Sequence, residues 1–193
     1  MFKRLRRKLG LSPLRYAVLL IDMQDYFLQH HHRDDQKMLL SAHERVLDLC
    51  HDKSLPVAVL EYANHGSTTD YLREKVECLP QRETFTKSSD SAFVGTTLHH
   101  YLCSLDISDV VLLGINAEVC VKCTAIDAKR EGYSLLTARD CIAQPRAYLP
   151  GESTDRIPLS KWYEKNTQLY ENSSVLIEMI KCSFHRDGLV ERL

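Results

Sequence analysis

Short apolar runs, separated by segments with helical spacing, most constrain what this chain can fold into. Residues 16–22, 57–61 and 109–114 are typical of strands, whereas residues 35–52 place leucine and valine on one helical face. Apolar strands without polar alternation are buried on both faces, as in a parallel sheet covered by helices on both sides. The sequence therefore predicts an α/β fold with three layers, α/β/α and Rossmann-like, around a mostly parallel sheet.

The same reasoning predicts the remaining elements in outline. Residues 83–86 and 133–137 fit strands, and residues 96–104 and 118–130 fit helices. The C-terminal part is predicted as a loop over residues 144–158, a helix over 160–171 and a last strand over 174–178. We find no internal repeat and no linker that would divide the chain, so we predict a basic arm, residues 1–15, followed by one domain, residues 16–193.

Composition indicates a globular protein. The chain has 193 residues, 44% of them hydrophobic and 26% charged. No apolar run approaches the roughly 18 residues that would cross a bilayer. Seven scattered cysteines, an odd number, favour reduced thiols and a cytoplasmic location over a disulfide framework.

The charge is distributed unevenly along the chain. Residues 1–15 hold six basic and no acidic side chains, whereas the remainder holds 19 basic and 26 acidic ones. We interpret the arm as solvated or in contact with another subunit, with an organelle-targeting segment as the alternative. We predict no nucleic-acid partner and no membrane span.

Cys120 follows the predicted strand at residues 109–114 and lies in the first turn of the next predicted helix. Free backbone N–H groups and the positive end of the helix dipole favour a thiolate there. The alternative is a small cysteine that only packs in the core. Ligands of parallel sheets bind outside the carboxyl ends of the strands, where both Cys120 and Asp22 are expected.

A cysteine nucleophile needs a base and a positive neighbour. Asp22 is a candidate base, because a carboxylate directly after an apolar run is costly to bury unless it is paired. Lys87, which follows the extended segment at residues 83–86, is a candidate cation. Taken singly, Asp22 is equally consistent with a carboxylate that caps a loop, and Lys87 with a solvated lysine.

Together, the three segments resemble the signature stretches of the isochorismatase-like cysteine hydrolase family. The first is Asp22-Met-Gln with Phe27 five residues after the aspartate, and the second is Lys87 with Ser-Ala-Phe shortly after it. The third is Gly114, five residues, then Cys120-Val with Thr-Ala and Asp-Ala downstream. The resemblance covers about residues 16–143, in the family's order and spacing.

The resemblance implies an amidase-like catalytic triad of Asp22, Lys87 and Cys120. In this arrangement Asp22 accepts the thiol proton, and Lys87 holds the carboxylate in place and favours the thiolate. The sulfur attacks the carbonyl carbon of a small amide, ureide or carbamoyl compound, and a thioester forms. The vinyl-ether hydrolases of the family lack this cysteine, so Cys120 favours cleavage of a C–N bond.

Family members also carry a non-proline cis peptide bond shortly before the nucleophile. By resemblance this bond is Ile115–Asn116. It implies that the N–H of Asn116 or Ala117, together with that of Cys120, faces the developing oxyanion.

The nicotinamidases of the family bind a divalent metal through an Asp-x-His pair after the second strand. The corresponding positions here are Tyr62 and Asn64, with Glu61 and His65 nearby. Tyrosine and asparagine are poor ligands for zinc or iron. We therefore predict an enzyme without a catalytic metal and without a cofactor.

Three aromatic residues are candidate walls of a small-substrate pocket, namely Phe27, Tyr62 and Trp162. Plain core packing is the alternative for each of them. The run His30–His32 is interpreted as a solvated loop rather than a metal site. The resemblance also implies a homo-oligomer.

Two other functions remain open from the sequence. The chain could be a catalytically idle family member that acts as a binding or scaffold protein. It could also sense redox state through Cys120 and Cys123, which have C-x-x-C spacing.

Overall fold

The computed structural model describes residues 15–145 and 158–190, with side chains described up to residue 184. Nearly all of the predicted basic arm and most of the predicted loop at residues 144–158 lie outside these ranges. The seven strands are β1 (Tyr16–Ile21), β2 (Val57–Tyr62), β3 (Arg82–Lys87), β4 (Asp109–Ile115), β5 (Ser134–Ala138), β6 (Ile142–Ala143) and β7 (Gln168–Tyr170).

Helices connect the strands. They are α1 (Asp25–Leu28), α2 (Arg33–Lys53), α3 (Asp70–Glu77), α4 (Leu98–Ser104), α5 (Lys122–Arg130), α6 (Lys161–Asn166) and α7 (Ser173–Val190). A π-helical turn, Ala117–Val121, precedes α5, so the predicted helix at residues 118–130 begins with wider turns than expected. No helix of the described ranges is both long and apolar enough to span a membrane.

The strands form one sheet in the order β3-β2-β1-β4-β5-β7, with β6 paired to β4. Every pairing between these named strands is parallel. β1 and β4 lie at the centre and pair along their length, with Ile21 opposite Gly114. The residues that follow these two strands therefore leave the sheet side by side at its carboxyl edge.

Two apolar cores cover the two faces of the sheet. Side chains alternate along β1, so Val18 and Leu20 join the core under α2, α3 and α7, whereas Leu19 faces the core under α4, α5 and α6. All six residues of β1 are buried. This arrangement confirms the predicted three-layer α/β/α fold with a parallel sheet.

The C-terminal predictions were partly wrong. Residues 174–178, predicted as a strand, belong to helix α7. A short apolar run has no clear period, and its burial at Leu176 and Ile180, four residues apart, is that of a helix. The predicted helix at 160–171 ends at Asn166, and Gln168–Tyr170 forms the edge strand β7 against β5.

Gly114 lets β1 and β4 approach each other at the point where both strands end. Its φ is +135°, in a region that residues with a side chain rarely adopt. A Cβ built at this position would lie 2.1 Å from the carbonyl oxygen of Ile21, which belongs to the backbone and has no freedom to move aside. The close approach of the two central strands therefore requires glycine here.

Replacing Gly114 with alanine should destabilise the fold strongly, by at least about 3 kcal/mol in the free energy of unfolding. Denaturant unfolding measures the change. The matched control is Gly132→Ala, because Gly132 also has a positive φ (+94°) but no atom within 4 Å of its would-be Cβ. The control should lose only about 1 to 2 kcal/mol from the backbone conformation. Equal losses in the two variants would contradict the contact argument.

Candidate active site

Three side chains from different strand ends meet at the carboxyl edge of the sheet. Lys87 Nζ lies 2.9 Å from Asp22 Oδ2, and these side chains are 0% and 1% exposed. The Cys120 thiol is buried beside them: the Asp22 charge is among the causes that raise its pKa, and Sγ donates a long hydrogen bond to Asp90 Oδ1 at 3.9 Å. The structure thus brings together the three residues that the sequence analysis selected.

Hydrogen bonds to nearby backbone groups hold Asp22 and Lys87 in place. Asp22 directly follows β1 with a φ of +53°, and its N–H donates to the Leu60 carbonyl at 2.9 Å. The Lys87 ammonium also donates to the carbonyl oxygens of Ser89 (3.1 Å) and Asp90 (3.4 Å). These two hydrogen bonds and the ion pair with Asp22 hold the ammonium in place.

Burial sets the protonation of the pair formed by Asp22 and Cys120. Burial raises the pKa of Asp22, and the Lys87 ammonium opposes that rise. Burial, followed by the Asp22 charge, raises the pKa of Cys120 to about 12, again against Lys87. The sequence analysis expected the helix start to favour a thiolate, and burial outweighs that effect. The resting site therefore holds a neutral Cys120 thiol beside the Asp22 carboxylate, whose pKa lies above its usual value.

A cavity of about 390 Å³ opens above the sulfur. Its described lining residues are Phe27, Tyr62, His65, Asp90, Asn116, Val119, Cys120 and Gln144. Two of the three predicted wall residues, Phe27 and Tyr62, are among them. Trp162 is not, because its ring packs edge-on against Tyr163 with centroids 5.2 Å apart, beside the core under α6.

The backbone around Asn116 forms the wall next to the nucleophile. The Ile115–Asn116 peptide bond is cis, and Ile115 and Ala117 are fully buried. Glu118 N–H donates to Gln144 Oε1 at 2.9 Å, and Val119 N–H donates to the Asn116 carbonyl at 3.1 Å. Those two N–H groups are thereby engaged, which removes them from the candidates for binding an oxyanion.

The positions that hold a metal in nicotinamidases are engaged elsewhere in this chain. The Tyr62 hydroxyl donates to the Ser88 carbonyl at 3.2 Å, and Glu61 Oε1 accepts from Thr68 N–H at 2.6 Å. His65 stacks on Tyr26, with centroids 4.2 Å apart. Within the described ranges, no three His, Cys, Asp or Glu residues are grouped so as to hold a metal ion. This donor set does not fit zinc or iron.

Two buried polar residues fix the site, and the sequence analysis gave them no role. The Gln24 side chain donates to the carbonyls of Tyr62 (2.9 Å) and Gly66 (2.6 Å) and accepts from Tyr62 N–H (2.8 Å). Thr124 Oγ1 accepts from Ala92 N–H at 3.0 Å and so ties α5 to the loop after Lys87. Both lie within the segments that carry the family resemblance, which was the available signal.

The histidine run is solvated only in part, since His30 and His32 are exposed whereas His31 is buried. Burial lowers the pKa of His31 to about 4. His31 is therefore neutral near pH 7. His32 caps α2 by accepting from Asp34 N–H at 3.3 Å. These neighbours point in different directions, consistent with a run that does not form one metal site.

Removing the Lys87 charge should destabilise the protein by about 3 to 5 kcal/mol, because Asp22 is left buried without its counter-charge. Urea unfolding of Lys87→Met measures this loss in the free energy of unfolding. Since Lys87 lowers the pKa of Asp22, the variant raises that pKa further. The free energy of unfolding of Lys87→Met should therefore fall as the pH rises toward this pKa. The difference in free energy of unfolding between the variant and the wild-type protein should be smaller in acid.

The control is the double variant Asp22→Asn/Lys87→Met, which removes both charges. It should recover at least half of the stability that the single variant loses. A double variant that is as unstable as Lys87→Met would show that packing, and not the unpaired carboxylate, explains the loss.

Comparison with known proteins identifies the family. Residues 16–154 match the isochorismatase domain. An uncharacterized isochorismatase family protein of Bacillus subtilis, YaaI, is 40% identical over 57 residues, which are 30% of this chain and only 32% of that protein. Nicotinamidase 3 of Arabidopsis thaliana is 25% identical over 149 residues, covering 66% of this chain and 72% of that protein.

Among solved structures, N-carbamoylsarcosine amidase from Thermoplasma acidophilum superposes with a TM-score of 0.65 at 20% sequence identity. The superposition covers 83% of this chain and 97% of the amidase, which shows a shared fold. The match to the isochorismatase domain spans most of the chain. It therefore assigns the family more firmly than the partial sequence similarities and the shared fold do. The chain belongs to the isochorismatase family, whose members are hydrolases.

Proposed function

We propose that this protein is a cysteine-dependent hydrolase that cleaves a C–N bond of a small amide, ureide or carbamoyl compound. The supporting observation is the buried ion pair of Lys87 and Asp22, 2.9 Å apart, with the buried Cys120 thiol within reach of the Asp22 charge, which raises the pKa of the thiol. The sulfur lies at the wall of a cavity that can admit a substrate. A nucleophile, its base and a fixed cation are thus gathered at one site.

Proton transfer from Cys120 to Asp22 activates the sulfur. Before the transfer the site holds an ammonium, a carboxylate and a thiol, and afterwards it holds an ammonium, a carboxylic acid and a thiolate. The net charge is the same in both states, so the transfer buries no additional charge. Lys87 remains in place and offsets the negative charge whether it resides on oxygen or on sulfur.

The thiolate then attacks the carbonyl carbon of the substrate. The N–H of Cys120, with that of Asn116 or Ala117, donates a hydrogen bond to the developing oxyanion, and one such donor typically lowers the barrier by about 3 to 4 kcal/mol. As the C–N bond breaks, Asp22 returns its proton to the departing nitrogen. Ammonia or an amine leaves, and the acyl group stays on sulfur as a thioester.

Water completes the cycle. Asp22, again a carboxylate, accepts a proton from a water molecule that attacks the thioester carbon. The C–S bond breaks, the acid product leaves, and the sulfur regains a proton from Asp22. No metal is needed in this sequence, and the engaged donors around Tyr62 support a metal-independent reaction.

The size of the cavity supports a small substrate. About 390 Å³ is near the lower end of the range of about 300 to 1,000 Å³ that small-molecule sites occupy. Two of the similar proteins carry names of amidases, N-carbamoylsarcosine amidase and nicotinamidase. Cleavage of a C–N bond is the chemistry that a sulfur nucleophile with this base would provide.

Loss of either reacting group should strongly slow turnover. Asp22→Asn also leaves the Lys87 ammonium buried without its counter-charge, so its rates are compared under conditions in which it is folded. We expect Cys120→Ser to lower kcat/KM by more than about 10³-fold and Asp22→Asn by about 10²- to 10⁴-fold. Release of ammonia from a panel of small amides measures the rates, and circular dichroism checks the fold. Cys123→Ser, a thiol change one turn away in α5, should stay within about twofold. Full activity of Cys120→Ser, or an inert wild type, would favour the scaffold alternative.

Asp22→Asn should make the sulfur more reactive toward alkylation even though it stops hydrolysis. The Asp22 charge is one cause of the raised pKa of Cys120, so its removal lowers that pKa and increases the thiolate fraction at about pH 9. We expect iodoacetamide to modify Cys120 at least about threefold faster in the variant, as measured by mass spectrometry. Exposed Cys182 should react equally in both proteins. An unchanged rate at Cys120 would contradict the coupling of thiol and carboxylate.

A further inference from the structure

Asp90 gives the cavity a negative charge next to the nucleophile. Its Oδ1 lies 3.9 Å from Cys120 Sγ, and its side chain lines the cavity. It is exposed, so it is available to a ligand rather than part of the buried triad. Within the part of the chain that the structure describes, no lysine, arginine or histidine forms an ion pair with this carboxylate.

The nearest cations are paired with other carboxylates. Lys87 contacts Asp22 at 2.9 Å, and Lys122 contacts Glu118 at 2.8 Å. Lys87 reaches only the backbone carbonyl of Asp90, at 3.4 Å. The described lining of the cavity contains no lysine or arginine, so the Asp90 charge has no counter-charge there.

Aromatic rings line the same cavity. The ring centroids of Phe27 and His65 lie 5.0 Å apart, those of Tyr62 and His65 5.6 Å, and those of Phe27 and Tyr62 6.2 Å. Ring faces of this kind attract cations, as Tyr62 does with Lys87 Nζ at 4.3 Å from its centroid, and the remaining ring surfaces can pack against a ligand. Carboxylate and rings together favour a positively charged small molecule and disfavour an anion.

We propose that Asp90, with the rings of Phe27, Tyr62 and His65, forms an ammonium-binding subsite, so that the substrate is an amide bearing a cationic amino group. This inference rests on the proposed hydrolytic function. The distance from Asp90 to the sulfur limits the spacing within the substrate. With Oδ1 and the sulfur 3.9 Å apart, a short substrate can place an ammonium about 2.8 Å from Asp90 and its carbonyl carbon about 3.3 Å from the sulfur at the same time.

The bound cation also assists the chemistry. The Asp90 charge is one of the causes that raise the pKa of Cys120. A substrate ammonium paired with Asp90 offsets that charge and favours the thiolate when the substrate is in place. Asp90 therefore acts as a specificity determinant, and a neutral or anionic amide lacks this assistance.

Three small amides of similar size and different charge test the subsite. They are 3-aminopropanamide (cationic), butanamide (neutral) and malonamate (anionic), titrated by NMR into Cys120→Ser so that turnover does not interfere. We expect the cation to bind about tenfold tighter than the neutral amide, and the anion to bind weakest. Adding Asp90→Asn should bring the cation and the neutral amide to within about twofold of each other.

Asp52→Asn in the same background is the matched control, because it removes one carboxylate from the exposed C-terminal part of α2. It should leave the preference for the cation unchanged. Three results would overturn the subsite. They are failure of the cation to bind at its highest soluble concentration, equal or tighter binding of the neutral or anionic amide, and a preference that survives Asp90→Asn.

Turnover of the same three amides by the wild-type protein separates this inference from the proposed function. Selective binding of the cation without hydrolysis of any amide would support the subsite and contradict the hydrolase. Hydrolysis that depends on Cys120 but favours the neutral or anionic amide would support the hydrolase and contradict the subsite.

Discussion

A buried ion pair constrains the structure of this protein at the carboxyl edge of the sheet. Asp22 and Lys87 come from β1 and β3, which are separated in the sheet by β2, and their side chains still meet at 2.9 Å out of contact with solvent. Two charges in such a place are tolerated because each neutralises the other and the ammonium also donates to two backbone carbonyls. The ends of β1 and β3 must therefore stay close together. The charges of Asp22 and Lys87 form the electrostatic environment of the Cys120 thiol.

The backbone contacts around this pair explain how the strand ends hold those positions. Gly114 allows β4 to reach the carbonyl of Ile21, one residue before Asp22. Gln24 joins the end of β1 to the turn after β2, and Thr124 joins α5 to the loop that follows Lys87. Each contact links two elements that contribute to the cavity. These short connections join the elements that carry Asp22, Lys87 and Cys120.

The sequence predicted the central sheet and the triad because these features depend on local patterns. Apolar runs define buried strands whichever side chains cover them, and the spacing around Asp22, Lys87 and Cys120 is shared with a known family. The short C-terminal elements were harder to predict from the sequence, because residues 174–178 contain too few apolar positions to distinguish a strand from a helix. The burial of His31 and the approach of Asp90 to the sulfur depend on long-range packing, which a single sequence does not encode in any readable spacing.

Gln24 also has a consequence for how the protein can change over evolution. Gln24 lies two residues after Asp22 in the same short segment. Its side chain is hydrogen-bonded to the turn from which Tyr62 and His65 reach the cavity. A substitution that reshapes the aromatic wall through this turn will displace the carboxylate as well. For the proposed hydrolase, changes in selectivity made through this turn would therefore also change the rate. Residues on the opposite rim, such as Val119 and Gln144, are the freer positions for a change of substrate.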